Sequence, residues 1–153
     1  MIIPFVDLKT QYLSIKMDID NAISSVIEET AFIRGKYVQQ FEKQFAELYD
    51  VKHCVSVANG TDALYIIMKM LGIKAGDEVI TAANSWISSS ETISQTGAKP
   101  VFIDVDQFFT MDVSKIESKI TKHTKAILPI HLYGQMADIS AIQKLCTKYN
   151  LHL

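Results

Sequence analysis

Four consecutive residues, Asn59-Gly60-Thr61-Asp62, have the types and order needed to hold an anion. They stand between the apolar run Cys54-Val55-Ser56-Val57 and the helically spaced Leu64, Ile67, Met68 and Leu71, so a strand is expected to end in a small-residue turn and open a helix. At such a junction the first backbone N–H groups lack intrahelical acceptors, and the positive end of the helix dipole lies behind them. Phosphate is the ligand this chemistry suits. Gly60 lets the backbone approach closely, and the Thr61 hydroxyl adds a donor beside the amides of Thr61 and Asp62. A carboxylate would repel phosphate, so the Asp62 side chain is expected to turn away and stabilise the first helical turn, leaving its N–H for the ligand. The same residues also read as an ordinary strand-to-helix turn with Asn59 as N-cap, and the motif taken alone favours that plainer reading.

Trp86 is the only tryptophan, and it lies among small polar residues in Ala83-Asn84-Ser85-Trp86-Ile87-Ser88-Ser89-Ser90. A large ring in such company, just after a strand, suits stacking on a planar heteroaromatic group; core packing is the commoner fate of the residue. His131 and Tyr133, in Pro129-Ile130-His131-Leu132-Tyr133-Gly134-Gln135, also follow a strand. Substrate contact and hydrogen-bonded packing beneath a site are equally open for both. Arg34, the only arginine, sits in the turn Phe32-Ile33-Arg34-Gly35 and could reach an acidic substrate group or simply face solvent. His53, His123 and His152 show neither metal-ligand spacing nor a nucleophile partner, so no metal site is expected. Neither a Gly-x-Gly-x-x-Gly turn nor a Gly-x-x-x-x-Gly-Lys-Ser/Thr loop occurs, which argues against a dinucleotide fold and a P-loop.

The elements that must position these residues follow from periodicity. After an extended lead-in from Pro4 to Leu8, Ile15, Ile19, Ile23, Val26 and Ile27 recur at helical spacing, and Val38, Phe41, Phe45 and Leu48 do so again. Two amphipathic helices are therefore expected before the first strand. Strands are predicted over 53–57, 78–81, 100–104 and 126–130, and helices over 61–71, 86–96, 113–119 and 139–149. Gly76-Asp77 and Gly97 mark turns, while Asp112 and Asp138 stand where N-caps are wanted. Short Val- and Ile-rich strands separated by helix-length crossovers imply an α/β fold with a parallel sheet covered on both faces. Ligands gather outside the carboxyl ends of such strands, which here are Asn59-Gly60-Thr61, Asn84-Ser85-Trp86, Asp104-Val105-Asp106 and His131-Leu132-Tyr133-Gly134.

The chain has 153 residues, 48% of them hydrophobic and 21% charged, enough for one compact domain. A net charge of −2 and a pI near 6.1 argue against nucleic acid as a partner, and the lysines are scattered. Phosphate binding must then rest on backbone amides more than on a basic field. Cys54 and Cys146 lack Cys-x-x-Cys spacing, which fits a reducing, cytoplasmic setting. Neither an export signal nor an apolar run able to span a bilayer is seen, so no membrane association is expected. Leu151-His152-Leu153, after helix-ending Asn150, reads as the start of another strand, and the chain is expected to be incomplete.

These stretches, in this order, resemble the DegT/DnrJ/EryC1/StrS family of pyridoxal-phosphate-dependent sugar aminotransferases. The likeness rests on Phe5-Val6-Asp7-Leu8, Phe41-Glu42, Ala58-Asn59-Gly60-Thr61-Asp62-Ala63-Leu64, Gly76-Asp77-Glu78-Val79-Ile80, Gly97-Ala98-Lys99-Pro100-Val101-Phe102, Thr124-Lys125-Ala126-Ile127 and Pro129-Ile130-His131-Leu132-Tyr133-Gly134. The resemblance implies the N-terminal half of the large domain of the aspartate-aminotransferase-like fold. It divides the chain into residues 1–51, an extended segment with two helices, and residues 52–153, a partial cofactor-binding domain. It implies pyridoxal 5'-phosphate as cofactor, with Gly60, Thr61 and Asp62 at its phosphate and Trp86 on its ring. Arg34, His131 and Tyr133 become candidate substrate contacts.

The reaction implied is amino transfer, with glutamate as donor, to a keto group of a nucleotide-linked sugar, and the opening Phe5 to Tyr12 leans toward the enzymes that act at C3. A homodimer is also implied. The carboxylate that pairs with the pyridine nitrogen and the lysine that carries the cofactor are expected beyond Leu153, and none of the fourteen lysines here lies in that lysine motif. The chain alone is therefore expected to be inactive, with no catalytic residue of its own. Two other readings stand beside this one: a sugar dehydratase of the same superfamily, with histidine in place of the lysine, and a non-catalytic phosphate-binding or dimerisation module.

Overall fold

Three short strands rich in β-branched residues organise the second part of the chain. β1 (Glu78–Ala82), β2 (Lys99–Ile103) and β3 (Thr124–Leu128) pair in parallel in the order β2-β1-β3, with Ile80 beside both Val101 and Ile127. The computed structural model describes residues 4–153, so the first three residues of the expected N-terminal segment lie outside the described residues. The described chain forms two compact units that divide between Ser56 and Val57.

Successive strand residues point to opposite faces of the sheet, and the two faces build two apolar clusters. Ile80, Ile103 and Ile127 join Ile116, Ile142 and Cys146 on one face, the latter three carried by α6 (Val113–Ile116) and α7 (Ile139–Tyr149). Val79 and Ala126, one residue away on the same strands, join Met68 of α4 (Gly60–Met70) and Ile93 of α5 (Ser88–Gln95) on the other. Each fully buried isoleucine contributes roughly 1.5–3 kcal/mol relative to exposure. Thr81 is completely buried, and its hydroxyl donates to the Leu128 carbonyl at 3.0 Å, so the polar residue in β1 ties it to β3.

The helix ends follow their capping residues. Asp112 and Asp138 accept the amides of Ser114 and Ala141 through their side chains, and Asn150 ends α7 in the left-handed conformation. After α6 the helical stretch tightens into a 3₁₀ turn over Glu117–Lys119. His152 then bridges in parallel to Ala126, with Ile127 N–H donating to the His152 carbonyl and His152 N–H donating to the Lys125 carbonyl, both at 2.9 Å. Leu151-His152-Leu153 thus does begin to pair as a strand beside β3.

Two expectations fail in the first unit. It holds three helices, not two: α1 (Leu8–Ser14), α2 (Lys16–Glu28) and α3 (Lys36–Leu48). Asp7 caps α1 by accepting the Thr10 amide at 3.0 Å, and Ile15, at φ −121°, breaks what the apolar spacing alone would run together. The second failure is the strand predicted over 53–57, which is not formed. A strand needs a hydrogen-bonding neighbour, and among the described residues none pairs with this segment; Val55 is 74% exposed. The segment is anchored instead by Glu42, whose carboxylate accepts the Ser56 amide at 2.8 Å. That backbone hydrogen bond, with a smaller pull from the Arg34 charge, holds the Glu42 carboxyl below its usual range.

Candidate functional site

At the start of α4, Asn59 is extended, with φ −166° and ψ 176°, and is the N-cap. Its Oδ1 accepts the Asp62 amide at 2.9 Å, and its Nδ2 donates to Asp62 Oδ2 at 3.3 Å. This reciprocal pair corrects the expectation that the Asp62 amide is left for a ligand. A cap side chain satisfies the third helical N–H whenever its oxygen reaches it, and Asn59 does so. The Asp62 carboxylate is drawn to the cap and acts within the first turn, as its sequence position suggests.

The amides of Gly60 and Thr61 differ: neither has an acceptor among the described residues. A Cβ added at position 60 would meet no atom within 4 Å, so packing does not demand glycine there. What its absence keeps clear is the approach to those two amides. The Thr61 hydroxyl lies 2.7 Å from the Ser88 hydroxyl in a partly buried contact that joins the start of α4 to the start of α5. Two hydroxyls sharing one hydrogen bond leave one O–H proton to donate elsewhere. Ser88 is itself buried, and its type, one of three serines in a row, gave no signal that it would meet Thr61.

Trp86 precedes α5 rather than opening it, because the helix begins two residues later than predicted. The residue is 77% exposed, which excludes core packing, and its ring stacks on no other aromatic ring among the described residues. It lines a depression of about 260 Å³ with Ala82, Ala83, Ser85, Ser89 and Phe102. Thr61 and Ser88 thus meet where α4 and α5 begin, with Gly60 beside the first and Trp86 two residues before the second.

The remaining candidates are placed differently. His131 and Tyr133 follow β3, in and beside a 3₁₀ turn over Leu132–Gly134. His131 Nδ1 accepts the Ala137 amide at 3.1 Å, so one ring nitrogen is engaged in holding the loop. Tyr133 is 97% exposed and in the left-handed region at φ 53°. Arg34, at φ 44°, belongs to the first unit. Among the described residues no group of three His, Cys, Asp or Glu side chains could hold a metal, and no helix is long and apolar enough to cross a membrane.

The donor set can be tested against a phosphorylated planar cofactor. Two free amides on a helix start, an adjacent hydroxyl proton and no basic side chain match a phosphate held by backbone dipoles. An exposed tryptophan one loop away matches a flat ring. The residues present fit pyridoxal phosphate.

Known proteins share this chain's sequence and fold. The model of the DegT/DnrJ/EryC1/StrS aminotransferase family matches residues 13–153. The chain is 43% identical over 150 residues to the UDP-2-acetamido-2-deoxy-3-oxo-D-glucuronate aminotransferase of Pseudomonas aeruginosa, covering 97% of this chain and 42% of that protein. Among solved structures, S. venezuelae DesV in complex with a ketimine intermediate superimposes with a TM-score of 0.93 at 38% identity, over 98% of this chain and 41% of that one. NtdA from Bacillus subtilis, with bound cofactor PMP, superimposes with a TM-score of 0.89 at 34% identity, over 97% of this chain and 35% of that one. The chain spans about two fifths of the length of the curated relatives it matches, corresponding to their N-terminal part.

Proposed function

The chain belongs to the DegT/DnrJ/EryC1/StrS aminotransferase family, and from that premise we propose that it carries the phosphate and ring cradle of a pyridoxal-phosphate-dependent nucleotide-sugar aminotransferase. The observation that carries this reading is the pair of unpartnered amides at Gly60 and Thr61 beside the Thr61–Ser88 hydroxyl contact. Gly60 and Thr61 bind the phosphate through N–H groups and Thr61 adds its hydroxyl. Asp62 serves by fixing the cap, and Trp86 covers one face of the ring. Pyridoxal phosphate, when bound, supplies the electron sink for amino transfer.

The whole protein, in this proposal, is a cytoplasmic homodimer that takes nitrogen from glutamate and delivers it to a keto group of a nucleotide-linked sugar. The relative from Pseudomonas aeruginosa is named for a 3-oxo sugar, which supports C3 as the acceptor carbon. Tyr133 is the stronger sugar contact of the two residues after β3, since His131 already spends one nitrogen on the backbone; Arg34 is a third. None of the fourteen lysines stands in the family's cofactor-carrying motif, so the chain by itself binds the cofactor without turning over.

Equilibrium dialysis tests the reading by comparing pyridoxal phosphate with pyridoxal, inorganic phosphate and nucleotides. Retention of pyridoxal phosphate well above that of either of its parts is expected. Equal retention of pyridoxal phosphate and inorganic phosphate would instead mean a generic anion cup. Sustained nitrogen transfer from glutamate by the chain alone would overturn the assignment of catalysis to a lysine outside it.

A further inference from the structure

Trp86 lies in a short connection, Ala83 to Ile87, that would be free to move if nothing held it. Two ties hold it. On the β1 side, the Asn84 side-chain N–H donates to the Phe109 carbonyl at 3.2 Å. On the α5 side, the Ser85 hydroxyl meets the Ser89 hydroxyl at 2.7 Å, and Ser89 N–H donates to the carbonyl of Trp86 itself at 3.1 Å. We propose that Asn84 and Ser85 are positioning residues that fix the Trp86 ring as a stacking platform before any cofactor arrives; this rests on the reading of Trp86 as the ring-covering residue.

The abutment for Asn84 is itself rigid. Asp106 accepts the amides of Phe108 and Thr110 at 2.8 and 3.1 Å and the Thr110 hydroxyl at 3.1 Å, and the Asp106 amide donates to the Thr110 carbonyl at 2.9 Å. This closed turn holds Phe109 at φ 61°, a conformation an aromatic residue seldom adopts. The Phe109 carbonyl is thereby set at a fixed point from which Asn84 can hang. Ser89 is likewise enclosed, buried in the first turn of α5. Trp86 sits between the two anchors with 77% of its surface free. An exposed ring that must present one face to a ligand gains affinity when its backbone is ordered in advance, because less freedom is lost on binding.

The only tryptophan makes the proposal readable without cofactor. Asn84→Asp keeps size but loses the N–H donor, and Ser85→Ala loses the hydroxyl; Ser85→Thr keeps it. In the chain as it stands, Asn84→Asp and Ser85→Ala are expected to lower Trp86 fluorescence anisotropy and raise its acrylamide quenching, with thermal midpoint and far-ultraviolet dichroism unchanged. Ser85→Thr should restore the parent values. With pyridoxal phosphate added, the two loosening variants should bind about three- to tenfold more weakly. Anisotropy equal to the parent in both variants would overturn the proposal. If the parent's Trp86 emission ignores pyridoxal phosphate, the ring-stacking reading fails, while the cofactor-free anisotropy still decides whether Asn84 and Ser85 hold the loop.

Discussion

The Thr61 and Ser88 hydroxyls lie 2.7 Å apart and join the beginnings of two helices that follow different strands. The contact holds the Thr61 hydroxyl beside two amides that have no acceptor among the described residues. A phosphate oxygen placed there would receive charge-assisted hydrogen bonds, each worth roughly 1.5–3 kcal/mol.

Thr61→Ala should therefore weaken pyridoxal phosphate binding by about tenfold, and Thr61→Ser should retain most of it. Ser88→Ala, which removes the orienting partner but leaves the Thr61 O–H, should cost less, about threefold. Pyridoxal, lacking the phosphate, should bind all variants alike. A Thr61→Ala protein that loses pyridoxal and pyridoxal phosphate in equal measure would place the threonine elsewhere than at the phosphate.

Asn59 makes a prediction of a different kind, because it caps the helix rather than touching the ligand. Asn59→Ala removes the acceptor of the Asp62 amide and should destabilise the fold by about 0.5–2 kcal/mol. The freed Asp62 amide then becomes a third available donor at the helix start. Denaturant unfolding should show the loss, while phosphate affinity in the folded protein should stay equal or rise. A fall in affinity with no loss of stability would give Asn59 a ligand role in place of a capping one.

How much of this was legible beforehand depended on what each residue needed. β1, β2, β3 and α7 lie within two residues of their predicted positions because their apolar patterns are satisfied within the chain. The segment 53–57 has the same pattern but no pairing strand among the described residues, and a pattern cannot say whether a partner strand is at hand. The helix-opening turn at Gly60 and Thr61 is legible from residue type, whereas its use for an anion is not, because the same residues serve an ordinary N-capped turn. Ser88 is not legible, because its meeting with Thr61 depends on how α4 and α5 pack. The Asp62 amide was misassigned for a local reason: Asn59 was read as a cap or as part of a ligand turn, and the structure has it capping while leaving the two preceding amides free.

Glu117 links the 3₁₀ turn to α7 by accepting hydrogen bonds from Lys148 Nζ and the Tyr149 hydroxyl. Lys148, and then Tyr149, hold the Glu117 carboxyl below its usual 4.5, and Glu117 raises the Lys148 ammonium above its usual 10.5. A depressed carboxyl stabilises above its unfolded pKa and loses that contribution as pH falls through the folded one. A raised ammonium stabilises below its unfolded pKa and loses that as pH rises through the folded one. The thermal midpoint of Glu117→Gln should therefore lie slightly below the parent's by a constant amount from about pH 5 to pH 10 and converge with it in acid. A difference that persists unchanged into acid would show that the glutamate acts by packing and not by charge.

His131 commits one ring nitrogen to the backbone and leaves the other for a second role. Its Nδ1 accepts the amide of Ala137, a residue that is 3% exposed, so that amide has little access to water as a substitute. His131→Ala should leave it unpaired and cost about 1–3 kcal/mol of stability. His131→Asn offers Oδ1 at a similar reach from the backbone and should recover most of that loss, because the amide needs an acceptor and not an imidazole. If the histidine only holds the loop, His131→Asn in a full-length enzyme should keep both stability and the Michaelis constant for the sugar. If it also touches the sugar through Nε2, stability should return while the Michaelis constant stays raised, since asparagine has no atom at that position. Measuring both quantities on the same variant divides the loop-holding nitrogen from the ligand-facing one.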